Sequence, residues 1–360
     1  MNSHADSMEL IRELCAAFGP SGREEAVAEL IKSKISSICP TVCDDRMGNL
    51  IAVMRFGDTT AKNRKTVMIS AHMDEVGFMI NEIKADGTLG FDTVGGINES
   101  VMAGRRVQIL GSKGIMTGII ASKAIHHKDK EERKKAVKVE KLYMDIGAAD
   151  KDEAMQYVSV GDFAVFDSPF YAFGDGLVKG RALDDRMGCA AMIETMRSLH
   201  QAPISGNVDA CFCFTVREEI GLSGAKAAAY RLKPQAAIVL ETTAIADIEG
   251  VPAAERVADM GGGVVVSVMD RATIYYRPLV DLALELGKKK DVGAQVKRFV
   301  SGGNDAGTIH RTGEGVKTVA LSVPTRYLHS PACVASMADY HSQQRLCEEL
   351  LRAIALREEI

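Results

Sequence analysis

The sequence predicts an α/β protein, a mixed, mostly parallel sheet flanked by helices and interrupted by a small β-rich insert. Three observations carry that expectation. Apolar strand-like runs alternate with amphipathic helical stretches towards both ends of the 360-residue chain, the pattern of a sheet covered on both faces. Residues 66–70 form a largely apolar run, as a covered central strand requires. From Val76 to Asp167 the alternation gives way to short strand-like runs, many glycines and weak helical periodicity.

Residues 8–18 read as a first helix, stopped by Gly19-Pro20. Ser21 and Glu24 have the spacing of a capping box, the Ser21 hydroxyl on the N3 amide and Glu24 reaching back. A second helix then runs through Ala26, Ala28, Leu30, Ile31 and Ile35, and strands follow at 49–54 and 66–70. Within the insert, strands are expected at 107–110, 114–120, 142–146 and 163–166. Residues 126–141 carry seven Lys or Arg mixed with acidic residues and read as a solvated loop. Beyond Asp167, helices are expected at 185–199, 278–288 and 342–356, and strands at 208–214, 236–240 and 316–321. Residues 1–75 and 168–360 thus form one discontinuous domain and 76–167 an insertion. An insert that leaves the polar motifs untouched reads as an assembly element.

Apolar residues make up 46% and charged residues 26%, an ordinary globular composition. A formal net charge of −4 leaves no electrostatic footprint for nucleic acid. The first nine residues lack a basic n-region and an apolar h-region. The longest nearly apolar stretch, 261–269, is too short to cross a bilayer. Eight scattered cysteines read as free thiols in a reducing cytoplasm, Cys211 and Cys213 as core residues of a strand. The Gly261-Gly262-Gly263 run reads as a turn. The run from Gly302 to Gly307 resembles a phosphate cradle only weakly, since no Lys-Ser or Lys-Thr follows.

Polar residues gather where strands end, the edge at which sites form in open α/β sheets. His72 and Asp74, two apart in extended chain, point the same way; a ligating histidine and its orienting partner fit there, and so does a solvated turn. Asp184 and Asp185 precede a helix, where a metal-bridging carboxylate and an N-cap are both accommodated. Glu218-Glu219 follows a buried strand. One can ligate while the other takes a proton from water, as in metal-assisted hydrolysis, and a solvated turn is the plainer alternative. Glu241 ends the run 236–240, and His329 follows the strand at 316–321. Singly, a solvated strand end and a structural histidine explain these two. Together, His72, His329 and the carboxylates form a repeated pattern whose mixed N and O ligands suit zinc, cobalt or manganese.

These residues lie in motifs that resemble the M42 family of metallo-aminopeptidases, the glutamyl aminopeptidase and tetrahedral (TET) peptidase group. The likeness runs through Gly19-Pro20-Ser21-Gly22-Arg23-Glu24, Ala71-His72-Met73-Asp74-Glu75-Val76-Gly77 and Arg181-Ala182-Leu183-Asp184-Asp185-Arg186. It continues through Arg217-Glu218-Glu219-Ile220-Gly221, Gly302-Gly303-Asn304-Asp305-Ala306-Gly307 and Pro324-Thr325-Arg326-Tyr327-Leu328-His329-Ser330-Pro331. The resemblance implies a zinc-peptidase-like catalytic domain with a small β-barrel or PDZ-like insert used in assembly. It implies two divalent metal ions per subunit, zinc or cobalt first and manganese as an alternative. Asp184 would bridge them, His72 and Glu241 would complete one site, and Glu219 and His329 the other. Glu218 would be the general base and Asp74 would orient His72. Substrates would be peptides with a free N-terminus, and the partner a further copy of the chain, in a dodecamer built from dimers, with no nucleic acid and no membrane. Two departures stand out. Glu241 occupies a place where many relatives carry Asp, and Ala124-Ile125-His126 stands where many have Pro-Pro-His.

Overall fold

The structure, a computed structural model, describes residues 4–127, 129–130 and 136–360. Residues 128 and 131–135 of the charged stretch lie outside the described residues.

Eleven strands form one mixed sheet. Its main path runs Val42–Asp44, Leu50–Phe56, Val208–Thr215, Lys65–His72, Ala236–Ala244, Lys317–Arg326, Cys333–Ser336, Leu177–Gly180 and Tyr171–Phe173. Val264–Val266 joins Lys317–Arg326 from the side and carries Ala294–Val296 on its other edge. The four strands from Val208–Thr215 to Lys317–Arg326 are mutually parallel, and the margins of the main path are antiparallel. Val67, Met68 and Ile69 are wholly buried, because helices cover this strand on both faces. One group comprises Leu183–Gln201 and Met337–Leu356, with His4–Ala16 and Glu25–Ile35 packed on the first of these. Ser223–Leu232 and Ala306–Ile309 form the second.

The insert is a closed barrel. Its strands pair in the order Gly77–Ile83, Leu89–Val94, Leu142–Asp145, Gly114–Ser122, Arg106–Gly111 and Phe163–Phe166. It has its own core, in which the Phe78 ring meets Phe91 and Phe166 edge-on at 5.2 and 5.0 Å, the geometry that aromatic quadrupoles favour.

Several local expectations need correction. The strand predicted at 236–240 continues to Ala244, so Glu241 lies inside a strand and does not end it. The capping box does not form. Glu24 is the N-cap of Glu25–Ile35 without a side-chain cap bond, and the Ser21 hydroxyl donates to Asp74 Oδ2 at 2.5 Å. Both side chains are spent on a tertiary contact described below. Gly261 does lie in a turn, just before Val264–Val266.

Candidate metal centre

Four adjacent parallel strands bring the polar residues to one edge. His72 is the last residue of Lys65–His72 and pairs with Thr215 across the ladder. Glu241 pairs with Ser322 on the other side. Glu218 and Glu219 follow Val208–Thr215, and His329 follows Lys317–Arg326. Asp184 enters from Leu183–Gln201, where it and Asp185 break the helical backbone. All five predicted ligands and Glu218 line one cleft of about 320 Å³.

Asp74 and Glu24 set the Glu218-Glu219 loop. Asp74 is wholly buried, and its two carboxylate oxygens accept the backbone N–H of Glu218 at 3.0 Å and of Glu219 at 3.1 Å. Glu24 Oε1 accepts from Gly22 N at 2.8 Å and from Arg217 N at 3.1 Å. Arg217 has φ 58°, a left-handed conformation that a non-glycine residue keeps only where its surroundings hold it. Ser21 and Glu24, three apart as in a capping box, therefore brace this loop.

The histidine tautomers follow from their partners. His72 Nδ1 lies 3.0 Å from the main-chain carbonyl of Asp74 and 3.4 Å from its Oδ1. A carbonyl only accepts, so Nδ1 carries the proton and Nε2 presents a lone pair. That Nε2 faces Asp184 Oδ1 at 3.5 Å and Glu241 Oε2 at 3.7 Å. His329 Nδ1 lies 2.9 Å from the carbonyl of Gly96, and its Nε2 faces Asp184 Oδ2 at 3.3 Å and Glu219 Oε1 at 3.1 Å. Asp184 Oδ1, Glu219 Oε1 and Glu241 Oε1 are buried with no hydrogen-bond partner. Lone pairs thus converge on lone pairs, an arrangement that only positive charge stabilises.

Without an ion, protons have to supply that charge. Burial works against a charged imidazole, but Asp184 and Glu219 outweigh it and push His329 up to about 11. His72 is raised in the same way, burial opposed by Asp184, Asp74 and Glu241. Burial drives Glu241 and Glu218 well above the usual carboxylate range, with His72 opposing it and acidic neighbours adding to it. Three triads bring one ligand atom each within 4.8 Å of the others: His72–Asp184–Glu241, Asp184–Glu219–His329 and His72–Glu218–Glu219. This donor set of imidazole nitrogens and carboxylate oxygens fits a divalent transition metal.

Residues 48–346 match the M42 glutamyl aminopeptidase family. This chain belongs to that family. It is 34% identical over 347 residues to a putative aminopeptidase of Acetivibrio thermocellus, covering 96% of this chain and 98% of the relative. A TET aminopeptidase from a marine sediment Thaumarchaeota archaeon superposes with a TM-score of 0.93 at 34% identity, over 99% of each chain. The TET1 peptidase of Pyrococcus horikoshii, which can assemble into a tetrahedron or a large octahedral shell, matches with a TM-score of 0.84 at 33% identity, over 96% of this chain and 98% of that one. Like them, this M42 peptidase is a peptide-bond hydrolase, and its family implies divalent metals at the cluster. Among the described residues, no helix is long and apolar enough to cross a membrane.

The sequence left three groups around the M42 site unread. Asp305 is fully buried, takes a 2.6 Å hydrogen bond from Thr215 Oγ1, and is pushed up to about 6, chiefly by burial. Its signal lay in the Gly302–Gly307 run, read as a weak phosphate cradle. Glu75 accepts from Arg181 Nε at 2.8 Å, and Arg186 Nε donates to Met73 O at 2.7 Å, which locks the chain behind His72 and Asp74. The third group is Gly96. A main-chain carbonyl leaves no mark in sequence, and that of Gly96, just past a barrel strand, lies 2.9 Å from His329 Nδ1.

Proposed function

We propose that this peptidase is a two-metal aminopeptidase that removes N-terminal residues from peptides, with Glu218 as general base. The observation that carries the reading is the Asp184 carboxylate, whose two oxygens face two different imidazoles. In this reading two ions, zinc or cobalt with manganese as an alternative, would be held here. Asp184 would serve both, with His72 and Glu241 as further ligands of one and Glu219 and His329 of the other. Bound divalent ions supply Lewis acidity, which lowers the pKa of water and polarises a carbonyl.

The chain's own residues supply the rest. The main-chain carbonyl of Asp74 holds the His72 tautomer, and its carboxylate fixes the Glu218 backbone, so one residue positions both a ligand and the base. Glu218 belongs only to the triad that lacks Asp184, which supports its use as base and Glu219 as ligand. Glu218 takes the proton of the attacking water and gives it to the leaving amine.

The substrates in this reading are peptides with a free α-amino group. Residues 1–75 and 168–360 form the catalytic domain, and the barrel insert, 76–167, serves in building a dodecamer from dimers. A solved relative whose subunits form a dodecamer, 32% identical with a TM-score of 0.83, supports that assembly. Eight free cysteines agree with a cytoplasmic setting.

The test is a pair of blocked peptides with added zinc, cobalt or manganese. N-terminal acetylation should stop cleavage and C-terminal amidation should leave it. The reverse pattern would make the enzyme a carboxypeptidase and overturn the reading.

A further inference from the structure

We propose that the barrel insert forms part of the site, its Gly95–Gly96 loop positioning His329 and Glu219 as ligands, helped by Ser168, the first catalytic-domain residue after the insert. The inference rests on the two-ion reading above and assigns to the insert a role in only one of the two positions.

Three contacts carry it. The carbonyl of Gly96, just past the barrel strand Leu89–Val94, is the partner of His329 Nδ1 at 2.9 Å. Such a partner fixes the ring's tautomer and direction, and its loss weakens metal binding. Gly95 packs on the neighbouring ligand: a Cβ there would lie 2.8 Å from Val76 Cγ1, 3.2 Å from Glu219 Cβ and 3.4 Å from Glu219 Oε2. With φ +81° as well, this position needs glycine twice over. Where the chain leaves the barrel, Ser168 Oγ donates to the carbonyl of Pro331 at 2.5 Å, two residues beyond His329. Lys179 donates to the same hydroxyl and, at 3.0 Å, to the carbonyl of Pro169, which fixes Ser168 in turn.

The clasped loop needs such support. Tyr327 and His329 both sit at left-handed φ, 57° and 55°, and His329 keeps 29% of its side chain exposed against 1% for His72. Ile97 and Val101, just beyond Gly96, pack on the barrel core, which anchors the loop to the barrel. The barrel thus acts on the Glu219–His329 position, while the sheet holds His72 and Glu241 without it.

The experiment uses the full chain, titrated with cobalt and read by visible absorption and by elemental analysis after dialysis. Gly95→Ala should bind one ion as tightly as the wild type and the second about 10–100-fold more weakly. Gly161→Ala is the control. That glycine also has positive φ, +95°, but a Cβ there meets nothing within 4 Å, so the substitution strains the barrel away from the cleft and should keep both ions. Ser168→Ala decides the matter if Gly95→Ala does not fold. It should weaken the same ion about two- to tenfold, the effect of one hydrogen bond. Both ions bound normally in Gly95→Ala and Ser168→Ala, both weakened alike, or an equal loss in Gly161→Ala would overturn the proposal. A wild-type protein holding fewer than two ions would instead overturn the two-ion reading itself, before any variant is made.

Discussion

The two halves of the cleft use the same chemistry on different foundations. His72 and Glu241 stand on adjacent parallel strands and are almost fully buried, at 1% and 4% exposure. The partner of the His72 ring, the Asp74 carbonyl, is two residues away in the same chain segment. His329 stands on a loop with left-handed backbone, and its ring partner, Gly96, is 233 positions distant and belongs to the barrel. Asp184 joins the halves. One half is thus as rigid as the sheet that carries it. The other is assembled from two packing units, and its integrity depends on how they meet.

Substitutions sharpen this contrast according to which half they touch. Asp184 serves both, so Asp184→Ala should abolish turnover and reduce binding at both positions. Elemental analysis that finds two tightly held ions in that variant would break the link between the halves. Glu218 belongs to neither ligand set in this reading. Glu218→Gln should keep both ions and lower kcat by about 10²–10⁴-fold, the range of general acid–base catalysis. Near-normal kcat in the metal-loaded variant would remove Glu218 from that role.

The smallest effect should come from Ser21, which acts at one remove. Its hydroxyl is one of three donors to the Asp74 carboxylate, and the other two are the amides that set Glu218 and Glu219. Ser21→Ala should cost about 0.5–1.5 kcal/mol of stability. It should also lower kcat less than tenfold with both ions retained and KM little changed. A thermal melt and a kcat-against-KM comparison check this together. Loss of an ion would show that Asp74 supports the ligands more than the base.

What was legible in the sequence follows the same division. The central strands announced themselves, because burial on both faces demands an unbroken apolar run, as in Val67-Met68-Ile69. The ligand candidates stood out because carboxylates and histidines at the ends of such runs have no packing reason to be there. Short margin strands such as Tyr171–Phe173 escaped, since all three residues are exposed and carry no alternation to detect. The helix Ser223–Leu232 escaped for another reason: it packs through Gly224, Ala225, Ala228 and Ala229, too small to register as an apolar stripe. Ser21 and Glu24 were misread because a capping box and a tertiary brace need the same side chains at the same spacing. The Gly96 contact lay beyond reach, being a backbone carbonyl brought to His329 from 233 positions away.

The central claim is that Asp184 lies between two ions, one held with His72 and Glu241, the other with Glu219 and His329. Anomalous diffraction from crystals grown with cobalt tests it directly. We expect two peaks, one on each side of the Asp184 carboxylate, with Glu218 bound to neither. A single peak, or a second ion held by Glu218 in place of Glu219, would contradict the account.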